Sequence, residues 1–405
     1  MSTFFNPAEP GFSADPYDQY ARLRDSDPVH ESAFGSWVLT RYEDVQRVLR
    51  DPSTSVDRSN LPVGSTDRAE FLVEALGEER ARRGSRAMLN SDPPDHTRLR
   101  RLVSKAFTPR MVEGIRPRAQ AVTDDLLDAF DGDGIDVIGG LAFPLPFTVI
   151  CDLLGMPVGT TRDEVRGWSH TLAGGFEPLL TRDDAFAIAD AGEQLRSFLL
   201  DVLGTKRLEP GDDLLTTLLH AEDDGDVLST EELLDQVTLL FVAGHETTVN
   251  LIGNGTLALL RHPDQLARLR EDPSLAANAV DELLRFDSPV QLSRRIVTSD
   301  LTIDGRVIPA WTLIALALAS ANRDPERFGD RADELDLGRA EAAQHVSFGA
   351  GIHHCLGAAL ARVEGQVAIG TLVRRFPRLA LADAEPDWNG RIVLRGLDSL
   401  RVDTF

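Results

Sequence analysis

The chain has 405 residues, a formal net charge of −23, 42% hydrophobic and 26% charged residues. That is an ordinary composition for a globular protein with a large core, and so acidic a chain is no general binder of nucleic-acid phosphates, which need a basic surface. Two cysteines make no disulfide framework, the first residues lack a signal peptide's basic and apolar runs, and no window offers the roughly 18 uninterrupted apolar residues of a membrane helix; the expectation is a cytoplasmic protein without membrane or nucleic-acid partners.

In chain order, DPYDQYARLRDSDP reads as a helix between prolines, WVLT as a strand, and RYEDVQRVLRDP as an amphipathic helix. Residues 51–92 are polar and irregular around one helical piece, RAEFLVEALGEERARR, and so long a loop region often carries function. Helical patterns dominate from about Asp95 to Leu260. The longest, VTLLFVAGHETTVNLIGNGTLALLRHP, has a capping-box start at Ser229 and Glu232 and a stop at Pro263. Its length, about 30 residues or roughly 45 Å, crosses a whole domain. After Pro289, RIVTSDLTIDGRVIPAWTLIALALAS reads as strands joined through an Asp304–Gly305 turn. A loop-rich stretch over 322–348, a helix over 355–375 and a short β region complete the chain. With no internal repeat, low-complexity segment or linker, residues 1–405 read as a single domain, mainly α with a smaller β part (α+β).

The segment HVSFGAGIHHCLGAALAR, His345–Arg362, holds one of the two cysteines. Zinc would need four ligands, and adjacent His353 and His354 cannot easily both turn to one ion beside Cys355. A cysteine nucleophile needs a base and an orienting group, and no local signature supplies them. Core packing is the expectation for Cys151, inside the apolar FPLPFTVICDLLGMP. Cys355 differs. It stands at a predicted helix start, where unpaired N–H groups and the helix dipole favour a thiolate. Gly349, Gly351 and Gly357 let the backbone approach a flat, bulky partner, and Phe348 can shield one side. A thiolate so placed is what an axial haem ligand requires.

Phe348, Gly351, His353, Cys355 and Gly357 fill every fixed position of the haem-binding signature that FGAGIHHCLG resembles, that of the cytochrome P-450 family. The likeness runs through nearly the whole chain and includes ANRDPERF and CDLLGMP. It implies that family's triangular-prism fold, with haem b between the long central helix and the Cys355 loop. It also implies a haem-thiolate monooxygenase that puts one atom of O2, its co-substrate, into a hydrophobic organic substrate.

The site residues follow from the same resemblance. Cys355 is the iron ligand, with Phe348, Gly349 and Gly357 around it. In SDPPDHTRLRRLVSKAF, His96 and Arg100 share a helix face; a solvated basic helix is the plain alternative, and the resemblance assigns both to haem propionates, with Arg295 and His353. In AGHETT, Gly244 weakens a helix by about 1 kcal/mol against alanine, and Thr247 and Thr248 can bend it. This is either a packing notch or, as the resemblance implies, an oxygen groove at Ala243 and Gly244 with Glu246 and Thr247 delivering protons. Glu282 and Arg285 form one of several Glu-x-x-Arg pairs. The others, Glu79/Arg82, Glu113/Arg116 and Glu193/Arg196, read as exposed helix pairs, whereas the resemblance implies that Glu282, Arg285 and Arg339 form a buried network orienting the Cys355 loop.

No flavin or iron–sulfur segment is attached, so electrons are expected from a separate ferredoxin and its reductase. Arg98, Arg101, Lys105 and Arg362 are the expected basic docking face. Substrate walls are expected at 54–92, Leu172–Leu180, Leu239, Leu240, Ala243, Val290–Leu292 and Leu394–Leu397; macrolide, terpenoid, steroid, fatty-acid and aromatic substrates all stay open. A monomer is expected. Two rivals are a peroxide-driven haem-thiolate peroxygenase, whose relatives tend to lack an acid–threonine pair, and a non-catalytic haem-thiolate binding protein.

Overall fold

A computed structural model describes residues 5–32, 36–62, 68–81, 86–130, 132, 134–157, 159, 162–223, 225–383 and 385–404. The first elements form where the apolar spacing puts them: helix Tyr17–Ser26, strand Trp37–Leu39, helix Tyr42–Arg50. The last buries Tyr42, Val45, Val48 and Leu49, one stripe at helical spacing. Its start is closed from far along the chain, because Tyr42 N donates to Asp324 Oδ2 at 2.7 Å. The single helical piece expected over 68–83 is instead two helices, Arg68–Leu76 and Glu78–Ala81, parted at Gly77 with φ +79°. That left-handed conformation ends a helix. Residues 82 and 83 lie outside the described residues.

The long helix runs Thr230–Arg261, 32 residues. Its capping box is formed: Glu232 N donates to Ser229 Oγ (3.2 Å) and Ser229 N to Glu232 Oε2 (2.8 Å). It stops before His262, and Pro263 opens a second helix, Pro263–Glu271, at a position where its missing N–H costs nothing. The helix after the cysteine starts later than the pattern predicts, at Ala358 rather than 355, and runs to Arg375. Residues 351–353 make a 3-10 turn first, and Cys355 closes a loop.

The chain divides into two compact units. One comprises Met1–Ser55, Arg116–Leu145 and Thr247–Phe405; the other comprises Val56–Ile115 and Pro146–Glu246. The first unit carries a five-stranded sheet in the order Val29–Glu31, Trp37–Leu39, Leu313–Ala317, Leu292–Val297, Thr54–Ser55. Only the Trp37–Leu39 and Leu313–Ala317 pair is parallel; Ile314 stands opposite Arg295 on its other neighbour. Strands Leu301–Ile303 and Arg306–Ile308 form a separate hairpin inserted between the sheet strands, closed by Asp304 (φ 48°) and Gly305 (φ 74°). Two successive positive φ values are what a two-residue hairpin turn needs. Val45, Val48, Ile314, Leu316, Leu318 and Phe328 belong to the core of this unit.

The second unit is helical, with Asp95–Ala106, Arg162–Ala173, Arg182–Leu208 and Leu214–Leu219 as its main members. Phe147 and Phe241 meet edge to face with centroids 5.8 Å apart. Lys206 and Asp213 form a largely buried ion pair at 2.5 Å.

The first unit also buries charge. Arg285 donates from Nε to Glu282 Oε2 (2.7 Å) and from Nη2 to Glu282 Oε1 (2.9 Å), and Arg339 Nε reaches Oε1 at 3.2 Å. Glu282 and Arg285 are 0% exposed. The remaining guanidinium donors end on main-chain carbonyls: Asn322, Ala332 and Glu334 for Arg285, and Phe328, Arg331 and Glu334 for Arg339. Arg285→Ala leaves Glu282 buried with its bidentate partner gone, and a loss of about 3–5 kcal/mol in chemical unfolding is expected. Arg196→Ala, which removes an exposed pair with Glu231, should cost under about 1 kcal/mol in the same measurement.

Candidate active site around the Cys355 loop

Cys355 is exposed. Its N–H donates to Phe348 O at 2.9 Å, Gly349 N to Val346 O at 2.8 Å and His354 N to Gly351 O at 3.1 Å, so the loop is tied across its own backbone. Gly349 (φ +67°) and Gly351 (φ +69°) occupy the left-handed region. A Cβ on Gly351 would also lie 2.5 Å from Leu49 O, so the loop presses on the end of the Tyr42–Arg50 helix where no side chain fits. A Cβ on Gly357 would stand 3.9 Å from Cys355 Sγ, in ordinary contact with the thiol.

Phe348 is buried with Leu251, Val280, Leu284 and Ala358. The Arg362 guanidinium lies 4.6 Å from its ring centroid, and the His354 ring meets it edge-on at 6.4 Å. Arg362 Nε donates to Asp281 (2.7 Å), as does His345 Nε2 (3.3 Å). Burial pushes the Asp281 carboxyl up, but these two donors outweigh it and hold it below the usual range.

Asn322 ties the buried charges to this loop. Its carbonyl accepts from Arg285, its Oδ1 accepts from Val346 N (2.7 Å), and its Nδ2 donates to Ser347 Oγ (2.7 Å) and Ser288 Oγ (2.8 Å). The structure therefore brings Glu282, Arg285 and Arg339 together and connects them to the residues just before Phe348. Asn322 was missed in the sequence, where an Asn inside a loop-rich stretch carries no signal. Arg295 is buried on strand Leu292–Val297, with Nη1 donating to Arg294 O (2.7 Å) and Ser293 Oγ (3.4 Å). His353 ends the 3-10 turn, half-buried. An accessible thiol in a cradle that a Cβ would fill, three residues before a helix start, fits a thiolate-ligated haem; guanidinium and imidazole donors fit its propionates.

The long helix shows a second feature. Residues 241–256 are almost all buried, yet Leu239, Leu240, Ala243, Gly244 and Thr247 are only half-buried. Their spacing is that of one helix face, an apolar stripe ending in a hydroxyl. A Cβ on Gly244 would meet Ile150 Cδ1 at 3.5 Å, an ordinary contact. Packing there does not demand glycine, which weakens the packing-notch reading. The element is one α-helix across the motif.

Glu246 lies off that stripe and is buried. Its Oε1 is 3.7 Å from His170 Nδ1 and 3.6 Å from His245 Nε2. Burial raises its pKa, the two histidines lower it, and the net effect is well below the usual carboxylate range. Neither histidine was singled out in the sequence. His170 stands 76 residues away, on another helix, and only the fold brings it in.

His96 and Arg100 lie one turn apart on Asp95–Ala106. His96 is 3% exposed, and burial followed by the Arg100 charge holds its pKa below the ordinary value. Arg98 on the same helix is bound by Glu232 and faces Asp226 at 3.7 Å. Arg362 likewise pairs with Asp281, and Arg101 and Lys105 of the expected docking face are exposed. Lys105 Nζ donates to Glu222 O at 2.9 Å. Both members of the expected exposed pair Glu193/Arg196 serve tertiary contacts: Glu193 accepts from Arg80 (2.8 Å) and Arg196 pairs with Glu231 (2.5 Å). Arg116 donates to Gln366 (3.1 Å), and Arg82 lies outside the described residues. The expected wall segments Val290–Leu292 and Leu394–Leu397 are joined by a Val290–Leu394 bridge. Residues 63–67 and 82–85 of the 54–92 wall lie outside the described residues. Cys151 is 3% exposed, and burial pushes its thiol up to about 12, as suits a core residue. Among the described residues no three His, Cys, Asp or Glu gather as a metal site, and no helix is long and apolar enough to cross a membrane.

Glu364, on the Ala358–Arg375 helix, also went unread in the sequence. It is 1% exposed; burial pushes its pKa up to about 8, against a hydrogen bond with Thr248. A carboxyl whose folded pKa exceeds its unfolded value contributes fully below the unfolded value near 4.5. That contribution is lost as pH rises toward 8, at about 1.4 kcal/mol per pH unit. Glu364→Gln should match the parent at pH 4.5 and be more stable at pH 8 in chemical unfolding; equal pH slopes would contradict a neutral buried acid.

The cytochrome P450 family model matches residues 191–391. Cytochrome P450 107B1 of Saccharopolyspora erythraea is 47% identical, covering 96% of this chain and 95% of its own. The vitamin D(3) 25-hydroxylase of Pseudonocardia autotrophica is 45% identical over 96% of this chain and 94% of its own. The tirandamycin C-bound P450 monooxygenase TamI superposes with a TM-score of 0.84 at 41% identity, covering 99% of both chains. The mainly helical fold with small sheets thus has full-length counterparts: the chain belongs to the cytochrome P450 family of haem-thiolate monooxygenases, which use haem and dioxygen to oxidise organic substrates.

Proposed function

We propose that this P450 hydroxylates a bulky hydrophobic organic molecule, with Cys355 as the iron ligand and the Leu239, Leu240, Ala243, Gly244, Thr247 stripe turned toward oxygen and substrate. The observation that carries this reading is the exposed thiol in a glycine-built loop. The half-open apolar stripe on an otherwise buried helix supports it. A relative named for vitamin D(3) hydroxylation and a structural neighbour carrying tirandamycin C support the substrate class. Coverage of 96% of the chain by relatives supports 1–405 acting as one catalytic domain.

A thiolate-ligated haem supplies dioxygen binding and activation. The chain's own residues do the rest. Gly349 and Gly357 keep the thiol accessible while Phe348 shields it. His96, Arg100, Arg295 and His353 are the propionate donors. The Glu282–Arg285–Arg339 network holds the loop through Asn322. Glu246, ionised at rest, relays a proton through its carboxylate, and Thr247 offers a hydroxyl on the open stripe. This acid–threonine pair favours the dioxygen route over a peroxide-driven one.

Electrons come from a separate ferredoxin and its reductase, with Arg101 and Lys105 on the docking face. Charge reversal at both should slow reduction several-fold and flatten its salt dependence; unchanged rates and salt response would remove this face.

For the ligand, the reduced carbon-monoxide spectrum should carry the thiolate band. Cys355→His should retain haem and lose that band, together with NADPH- and ferredoxin-dependent product. A histidine-type band in the parent would overturn the assignment.

A further inference from the structure

Glu246 is set 6% exposed inside the second unit, too deep to exchange protons freely with water. The groups that face it are His170 on helix Arg162–Ala173 and His245 on its own helix. The two differ in their access to solvent. His245 is 0% exposed, and both its nitrogens are engaged: Nδ1 with Phe241 O at 2.7 Å, Nε2 with Ser169 Oγ at 3.1 Å. The His170 side chain is 58% exposed, with Nδ1 toward the Glu246 carboxylate. Ser169, the residue before it, is itself buried and bonded to His245, so His170 is held in place by the fold.

We propose that His170 is the proton inlet of the site, taking protons from solvent and passing them to Glu246. This rests on the proposed role of Glu246 as the proton-relaying acid. Water protonates Nε2, giving the imidazolium. The Nδ1 proton then moves to Glu246 Oε1, forming the carboxylic acid and leaving a neutral ring with its proton on Nε2. A ring flip, or protonation of Nδ1 by solvent, resets the donor, and an exposed side chain makes such flips rapidly. No oxidant or leaving group is involved. The 3.7 Å separation exceeds a direct hydrogen bond, and a small rotamer change or one bridging water closes it.

Histidine suits this place better than arginine or lysine. It alone among the three changes charge near neutral pH and can both hold and release a proton there. His245 serves a different end, because its buried ring pins the two helices and fixes the distance across which His170 works.

The test uses the holoenzyme with its electron donors. His170→Gln should keep the thiolate band, since the side chain is mostly exposed, and should lower product formed per NADPH by at least about tenfold near pH 7. The parent's coupling should fall as pH rises, and the variant should lose that dependence. A readout independent of turnover is the His170 imidazole signal by NMR in the reduced, carbon-monoxide-bound enzyme: Glu246→Gln should shift it. If Glu246→Gln uncouples the enzyme but His170→Gln does not, the inlet is elsewhere and the acid's role stands. If Glu246→Gln leaves coupling intact, the acid's role falls and this inference with it. A His170 signal indifferent to Glu246→Gln overturns the contact itself.

Discussion

The buried cluster of Glu282, Arg285 and Arg339 is the interaction on which the first unit depends. Removing charges from water is expensive, and it is tolerated here because every guanidinium donor has a named acceptor. Apart from the Glu282 carboxylate, those acceptors are main-chain carbonyls of residues 322–334, a stretch of turns around the short helix Pro325–Phe328. The charges therefore do for a loop what a ladder does for a sheet. Through Asn322 the order reaches Val346 and Ser347, and from there Phe348 and Cys355. An exposed thiol on a surface loop would ordinarily be imprecise; here the loop hangs from a fully buried set of ion pairs.

The long helix shows how a helical period separates tasks. Successive residues turn by about 100°, so Glu246 and Thr247 are chain neighbours on different faces. Thr247 ends the half-open stripe with Ala243 and Gly244, while Glu246 is directed to His170 and His245. A charged acid on the open face would disturb an apolar ligand. Displaced by one residue, it remains ionised among histidines. Glu364 is the contrasting case: equally buried, with a threonine as its partner, it is held neutral. Histidine neighbours, not burial, separate the two acids.

Much of the plan was legible. Turn chemistry at Asp304–Gly305, the Ser229–Glu232 capping box and the Cys355 segment are local signals, written in adjacent residues whose physics needs no distant partner. Boundaries were less so. Gly77 splits one expected helix, and the Cys355 loop delays another to Ala358, because backbone φ values and loop closures override apolar spacing.

By itself, the sequence determined the family, and it marked the thiol and the residue types proposed for iron, propionates and protons, because these reside in short, contiguous motifs. Tertiary structure alone decided which charges are spent. Arg98 and Arg362, expected on a docking face, are matched by Glu232 and Asp281, and Arg196 answers Glu231 rather than its helix neighbour. It also decided that His170 reaches Glu246 and that Asn322 joins the buried charges to the cysteine loop. The reason is one of range: ion pairs and hydrogen bonds act over a few ångströms of space, and residues 76 or 24 positions apart become neighbours only once the chain has folded.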